Sequence, residues 1–430
     1  MMLKTTALVL LCVSLISQPV FADDMAEMRA QLKAMQKQMQ IMQAKLDAQS
    51  TSLAKQQVKQ EKITTQIKHQ QAIREKDKDA RAVSHQIADS LSIGGVIEID
   101  AGHRSSSDWS GDSADDIILD TFELVIEANA SEWVSGSMLF LYEDEKDDEI
   151  NIDEAYITIA NSEVTPFYAA AGRLYVPFGD FETNMVSDPA TLTLAETRED
   201  VIQFGFEMDN GFYGSAYVFN GDAEQAKSDF SSTDSNKIDN YGLSAGYAME
   251  NDRFSLDIGA GYINNIATSK TLQDQVGDNG LCAGDGCVKD YVAGLSLHAT
   301  ANIGAFTLIA EYITALDDFE ANELGSVNTD KLKPEAWNIE AAYNFTIAGR
   351  DAVVALGYQD TDDMYFDTEN TDVFDKAWLA SISVAIFENT SLSAEWRHAS
   401  IYSEVKDART AAGEQSADDD LVRVKLSYEF

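Results

Sequence analysis

The stretch LVRVKLSYEF, residues 421–430, alternates between apolar and polar side chains from Val422 to its end. In an extended strand one face would carry Val422, Val424, Leu426, Tyr428 and Phe430. The opposite face would carry Arg423, Lys425, Ser427 and Glu429. Such a strand suits the wall of a closed barrel that has lipid outside and water inside.

Residues 1–22 have the layout of a cleaved secretory signal, with Lys4, an apolar core over 7–16 and Val20-Phe21-Ala22 before the first acidic residue. We therefore expect an exported protein. After residue 22 no stretch reaches the roughly 18 consecutive apolar residues that a spanning helix requires. Any passage through a membrane must therefore use strands.

Residues 23–90 contain no Gly and no Pro, and Gln, Lys and Ala dominate. Apolar residues recur at steps of three and four from Met25 through Leu46 to Ile67, which predicts a helix with a heptad seam. Glutamine occupies the middle third of this seam. A single solvated helical spacer is one interpretation, and an oligomeric coiled coil that makes the protein a homo-oligomer is the one favoured here.

Residues 91–430 predict an all-β transmembrane barrel of about 16 antiparallel strands. Short turns such as 209–211 and 388–390 alternate with long acidic loops such as 104–116 and 402–420. Barrels of the bacterial outer membrane have short periplasmic turns and long external loops. An even strand number returns both chain ends to the periplasm, which would place the coiled coil there. A soluble sandwich is the alternative, but it does not explain strand faces as apolar as 254–262.

Charge restricts the partners of the barrel. The whole chain has a formal net charge of −42, and residues 91–430 hold 18 basic and 64 acidic residues, a balance of −46. A surface this acidic repels phosphate, so nucleic acid is not an expected partner. Outer-membrane lipid and lipopolysaccharide are expected partners, the latter bridged by divalent ions to loop acids such as those in 143–149.

Charged residues also fall on the predicted inward faces. Arg397, Arg423 and Lys425 lie on the last two strands and would form a basic strip, and Arg173 and Arg253 are further inward candidates. The third long loop, 177–200, contributes the acids Asp180, Glu182, Asp188 and Glu196. If this loop folds into the pore, acids would face a basic wall and create a transverse field that orients a solute.

Two cysteines follow the signal segment, Cys282 and Cys287, in a glycine-rich loop. Four intervening residues are enough to close a small disulfide in an oxidising compartment, and we predict this pair. Few other ligands lie nearby, so no metal site and no cofactor are predicted.

Histidines are also few in the barrel, at His103, His298 and His398. A hydrolase would need serine and histidine to converge at the outer rim, and His103 near Ser105 offers only a weak case, so no catalytic residue is predicted.

Three segments carry a family resemblance: SIGGVIEIDA at 92–101, NIDEAYITI at 151–159 and AGRLYVPFGDFETNMVSDPATLTLAETRE at 171–199. They resemble outer-membrane siderophore porins of the legiobactin-receptor type. The part Gly172 to Gly179 is also similar to other substrate-selective porins, so it marks the superfamily better than the substrate. The terminal Phe430 resembles the signal that the barrel-assembly machinery recognises.

The resemblance implies uptake of a ferric siderophore across the outer membrane by passive or facilitated passage. The sequence leaves no segment for an energised plug, because strands and loops account for residues 91–430. Siderophores of the legiobactin type are polycarboxylates, which an acidic barrel should disfavour. A general cation-preferring diffusion porin is therefore the alternative function.

Overall fold

The computed structural model describes residues 90–430 apart from 107–108, 145–148, 227–236, 252–253, 278, 280–286, 326–330 and 366–371. The predicted signal segment 1–22 and the predicted coiled coil 23–90 lie outside the described residues, except for Ser90.

Sixteen antiparallel strands form one closed barrel, in which each strand pairs with its sequence neighbours and β1 pairs with β16. The strands are β1 Leu91–Arg104, β2 Ala114–Asn129, β3 Val134–Glu143, β4 Asn151–Ala160, β5 Phe167–Tyr175, β6 Arg198–Glu207, β7 Phe212–Phe219 and β8 Asn240–Asn251. They continue with β9 Phe254–Ile263, β10 Gly294–Ile303, β11 Phe306–Ala315, β12 Glu335–Ile347, β13 Arg350–Asp362, β14 Lys376–Phe387, β15 Thr390–Ser400 and β16 Asp419–Glu429. The predicted strand number and closure are confirmed.

The alternation of side chains places apolar residues on the outside of the barrel. On β16 the five apolar residues from Val422 to Phe430 are exposed on the outward face, whereas Arg423 and Lys425 point inward to acids of β1. A continuous apolar outer band with a polar interior is the pattern of a barrel that spans a membrane. Among the described residues no helix is long and apolar enough to cross a bilayer.

The seam of the barrel joins the two ends of the sheet. Phe430 and Gly95 exchange both backbone hydrogen bonds, at 3.1 and 3.0 Å. A Cβ at Gly95 would lie 2.2 Å from the carbonyl oxygen of Glu123 and 2.7 Å from the Phe430 ring. Only glycine fits there, because the aromatic ring and the neighbouring strand approach its backbone closely.

Short turns and long loops alternate as the sequence predicts. The described residues of the long loops include three short α-helices, α1 Ala190–Ala195, α2 Lys270–Gly277 and α3 Ser403–Ala412, and a 3-10 helix, Ile266–Thr268. Much of the apolar core lies in these loops and at the adjoining strand ends, where Phe178, Ile266, Leu272, Phe319 and Phe374 are almost fully buried. The loops therefore pack on one another inside the loop end of the barrel instead of extending freely.

Candidate functional site

The third loop, which spans residues 176–197 between β5 and β6, lies inside the barrel. Six consecutive strands, β10 to β15, each hold it with one side chain. These side chains are Ser296, Glu311, Glu340, Gln359, Ser381 and Glu395. The loop therefore runs along one half of the inner wall, and α1 returns across β13 and β11 through Ala190 and Thr191.

Three glutamates provide most of this attachment. Glu311 accepts hydrogen bonds from the Asp180 backbone at 2.7 Å and from the Thr191 hydroxyl at 2.6 Å. Glu340 accepts them from the Asn184 backbone at 2.8 Å and the Thr183 hydroxyl at 2.6 Å. Their carboxylates are buried beneath the loop. Each carboxyl group thus accepts main-chain and side-chain hydrogen bonds from the loop, and these contacts fix the loop to the wall.

Glu395 holds the far end of the loop in the same way. It accepts hydrogen bonds from the backbones of Val186 and Ser187 and from the Ser187 hydroxyl. The sequence places Glu311, Glu340 and Glu395 on inward faces, but it gives no sign that they bind a loop. A possible signal is that Thr183, Ser187 and Thr191 repeat every four residues along the loop and meet these acids in turn.

The turn into the lumen depends on the Pro-Phe-Gly segment. Gly179 has φ +98°, and a Cβ there would lie 2.3 Å from the Phe181 ring. Phe178 is buried beside Gly261 of β9 and Gly294 of β10, and it anchors the start of the turn. Glycine is required because L-residues rarely adopt this backbone conformation.

The opposite half of the inner wall, formed by β16 and β1–β4, is not covered by the third loop. Thr121, Glu123, Leu139, Leu141 and Tyr156 point inward and stay partly exposed, whereas Asn338, Glu340 and Gln359 beneath the loop are buried. This difference locates the water-filled part of the lumen, which we call the passage, between the third loop and β16 with β1–β4.

Carboxyl groups dominate the wall of the passage. Glu98, Asp120, Glu123 and Glu154 are partly exposed there, and Asp100 and Asp153 are buried on the same strands. The basic side chains of this wall are paired with these acids. Lys425 contacts Glu98 at 2.9 Å and Asp120 at 2.7 Å. Arg423 contacts Asp100 at 3.3 Å. Asp153 is contacted by Arg198 from β6, outside this wall.

The predicted acids of the third loop take different positions. Asp180, Glu182 and Asp188 are exposed on the loop, and Glu196 is half-buried. Confinement among protein atoms raises the pKa of Asp188 although its side chain meets lumen water, and the charges of Lys425 and Arg423 act in the opposite direction. Burial raises the pKa of Glu196 to about 7, which the charge of Lys270 partly offsets.

The predicted basic strip is weaker than the sequence suggests. Arg397 points inward, but only 3% of its side chain is exposed, because it lies between Asp372 at 2.8 Å and Asp419 at 3.7 Å. Burial opposes the ionisation of Asp372, yet the charges of Arg397 and Arg104 outweigh it and hold the pKa of Asp372 at about 2. Arg397 therefore belongs to a buried ion-pair cluster, and Arg423 and Lys425 alone of the three border the passage.

The placement of Arg173 in the lumen is wrong. Its side chain shares the outward face of β5 with Phe167, and it pairs with exposed Asp200 at 3.2 Å. Three consecutive alanines, 169–171, precede it, so the sequence did not show which face is apolar. Arg253 lies outside the described residues.

The other predicted residues are placed as follows. Cys287 is buried and disulfide-bonded, while Cys282 lies outside the described residues, so their pairing stays a prediction.

His103 faces outward and contacts Asp115 at 2.7 Å, and the Ser105 hydroxyl accepts a hydrogen bond from the Asp420 backbone. His298 points inward beside Tyr213 and Asp257. In the described part of the chain no group of three or more His, Cys, Asp or Glu residues is arranged to hold a metal ion.

The chain has curated relatives at moderate sequence identity. No protein-family model matches the chain. A UPF0422 protein of Coxiella burnetii is 30% identical over 286 residues, which cover 64% of this chain and 57% of the relative. A UPF0422 protein of Legionella pneumophila strain Philadelphia 1 is 25% identical over 302 residues, which cover 66% of this chain and 54% of the relative. The chain thus spans little more than half the length of these curated relatives.

Solved structures show the same fold at low sequence identity. The outer-membrane channel DcaP of Acinetobacter baumannii matches with a TM-score of 0.51 and 13% identity over 79% of this chain and 97% of its own. The anion-selective porin of Comamonas acidovorans matches with a TM-score of 0.52 and 10% identity, over 79% of this chain and 99% of its own. Salmonella typhi OmpF matches with a TM-score of 0.53 and 14% identity, over 79% of this chain and 97% of its own. The chain therefore has the fold of outer-membrane porins, and the fold does not decide which ions pass.

Proposed function

We propose that the protein is a diffusion channel of the bacterial outer membrane that favours cations over anions. The porin fold and the exposed apolar band support the location. In this arrangement the short turns face the periplasm, where the predicted coiled coil 23–90 would also lie.

The observation that carries the cation preference is the charge of the passage. The cations Lys425 and Arg423 are each paired with acids, whereas the charges that act on Glu123 are those of further carboxyl groups, Glu98, Glu143, Asp153 and Glu154. A passage lined by one sign of charge concentrates counter-ions and repels co-ions. Excess negative charge should therefore favour cations over chloride.

Reversal potentials in a planar bilayer test this proposal. With a tenfold KCl gradient across the purified protein, we expect a reversal potential that shows potassium to be the more permeant ion. The double variant Glu123→Gln with Glu154→Gln should move that potential toward zero. The variant Glu388→Gln removes an acid at a short turn, outside the passage, and should leave it unchanged. Preference for chloride in the unmodified protein would overturn the proposal.

A ferric siderophore of the polycarboxylate type is the second candidate. It rests on the resemblance of residues 171–199 and on Arg423 and Lys425, which face the lumen. A polycarboxylate could replace Asp100 or Glu98 as partner of these cations, at the cost of leaving the displaced acids unpaired. The acidic passage makes this candidate weaker than the first.

Single-channel block separates the two candidates. Ferric citrate serves as a simple ferric polycarboxylate, added to one side at increasing concentration. Brief interruptions of the current that disappear in the double variant Arg423→Gln with Lys425→Met would support a specific site. Uninterrupted current at millimolar concentrations would contradict it and leave the cation-preferring channel intact.

A further inference from the structure

A second group of polar side chains lies inside the barrel on the turn side of the third loop. Tyr213 of β7, Asp257 of β9 and His298 of β10 point inward and contact one another. Thr300 of β10 lies directly opposite Asp257 in the strand register. Asp257 and Thr300 are each the fourth residue from the turn end of their strand. Together with Asp180 of the third loop, these residues are called the Asp257 group.

The third loop is fastened beside this group. The Gly179 N–H donates to the Ser296 hydroxyl at 3.2 Å, and the Asp180 N–H donates to the Glu311 carboxylate at 2.7 Å. Ser296 lies two residues before His298 on β10, and Glu311 pairs with His298 across β10 and β11. The backbone of Asp180 is therefore held near His298, and the residue stays exposed inside the barrel.

Hydrogen bonds orient the Asp257 carboxylate. The Tyr213 hydroxyl donates to Asp257 Oδ1 at 2.6 Å, and His298 Nε2 lies 3.2 Å from the same hydroxyl. Because this hydroxyl gives its single proton to Asp257, it accepts from His298, which therefore carries a hydrogen on Nε2. These contacts hold the carboxylate in place, while 43% of the Asp257 side chain remains exposed to the lumen.

The negative charge of the Asp257 group has little compensation. The charges that act on Asp180 are those of His298 and Asp257, and no lysine or arginine of the described residues is among them. When the His298 imidazole is neutral, two carboxylates thus face lumen water without a cation. The passage differs in this respect, because Lys425 and Arg423 are paired with its acids.

Thr300 adds an observation of a different kind. Only 8% of this residue is exposed, and its hydroxyl has no hydrogen-bond partner in the described part of the chain. Residues directly opposite each other in an antiparallel pair have Cβ atoms about 4.5–5.5 Å apart, so this hydroxyl borders the Asp257 side chain. A buried hydroxyl without a partner is unfavourable. A ligand with several N–H donors could bind Asp257 and satisfy the Thr300 oxygen as well.

The chemistry of the group matches an organic ammonium ion. A primary ammonium carries three N–H donors and no acceptor, which suits two carboxylates and a hydroxyl oxygen. The Tyr213 ring, whose tip lies against Gly246, is partly exposed and offers a cation an aromatic surface. We propose that the Asp257 group is a binding subsite for primary alkylammonium solutes. This proposal rests on the cation-preferring channel and names a class of solute that it would hold.

Block of the potassium current by n-butylammonium tests the proposal on the purified full chain in a planar bilayer. The double variant Asp180→Asn with Asp257→Asn should raise the half-blocking concentration at least about fivefold, because each change removes a charge-assisted hydrogen bond. Glu388→Gln, at a short turn, should leave it unchanged. Tetramethylammonium carries the charge without N–H donors and should block less. Equal block in the double variant and the unmodified protein, or by the two ions, would overturn the proposal.

A charge placed inside the subsite gives a second test. His298→Lys puts a permanent cation beside Asp180 and Asp257 and should abolish the block, whereas His298→Gln keeps an N–H donor without a charge and should preserve it. Block that persists in both variants would contradict the proposal. Reversal potentials of the same samples separate the two claims. Chloride preference with this block intact would defeat the proposed function alone, and cation preference with block that ignores these variants would defeat the subsite alone.

Discussion

The two halves of the inner wall use the same residue type in different ways. Beneath the third loop, Glu340 and Glu395 are buried and accept hydrogen bonds from the loop. Across the lumen, Glu123 and Glu98 remain in contact with water. All four are inward glutamates on amphipathic strands. The two pairs differ in whether the third loop lies over them. The role of an inward acid therefore depends on its contact with this loop, and strand position alone does not determine it.

The largest effect is expected when the covered half loses its carboxylates. Glu340→Leu with Glu395→Leu removes acceptors for Asn184, Val186 and Ser187 and leaves their N–H groups unpaired, at about 1–3 kcal/mol for each buried group. The loop should detach, with at least about a twofold rise in single-channel conductance and faster amide exchange over residues 183–191. Glu123→Gln in the uncovered half should leave that exchange unchanged. Slow exchange in the double variant would show that other contacts suffice.

A smaller effect is expected from removing a cation of the uncovered half. Lys425→Met leaves Glu98 and Asp120 without their shared partner. The passage becomes more negative, so the ratio of potassium to chloride permeability should rise about twofold. Reversal potentials measure this ratio. A fall in the ratio would mean that Lys425 does not border the permeation path.

The smallest effect concerns Glu196, at the end of α1. Its pKa is raised to about 7 by burial, so the carboxyl is neutral at pH 5 and ionised at pH 8. Because the folded pKa lies above the ordinary value, its contribution to stability is present at low pH and is lost as pH rises through 7. Ionisation of Glu196 adds a negative charge near the acids Asp188, Glu143 and Asp153, so cation preference should increase modestly from pH 5 to pH 8. In Glu196→Gln the residual pH dependence should be smaller, and an identical pH profile would refute the assignment.

Sequence reasoning recovered the barrel because alternation is a local property. Every residue of β16 lies on the face that its parity predicts, and the inward Glu311, Glu340 and Glu395 follow the same rule. The prediction for Arg173 was wrong because the alanines before it do not make either face of the strand distinctly apolar. The burial of Arg397 by Asp372 and Asp419 is a contact between distant loop and strand residues, which no strand pattern records.

The way the third loop is fastened has a consequence for how such a channel can vary. The barrel supplies the acceptors, and the loop supplies main-chain N–H groups at Asp180, Asn184, Val186, Ser187 and Ala190. Every amino acid except proline carries that donor. Side chains such as those of Asp180, Val186 and Asp188 could therefore be exchanged, and the choice of solute retuned, without loosening the loop from its wall.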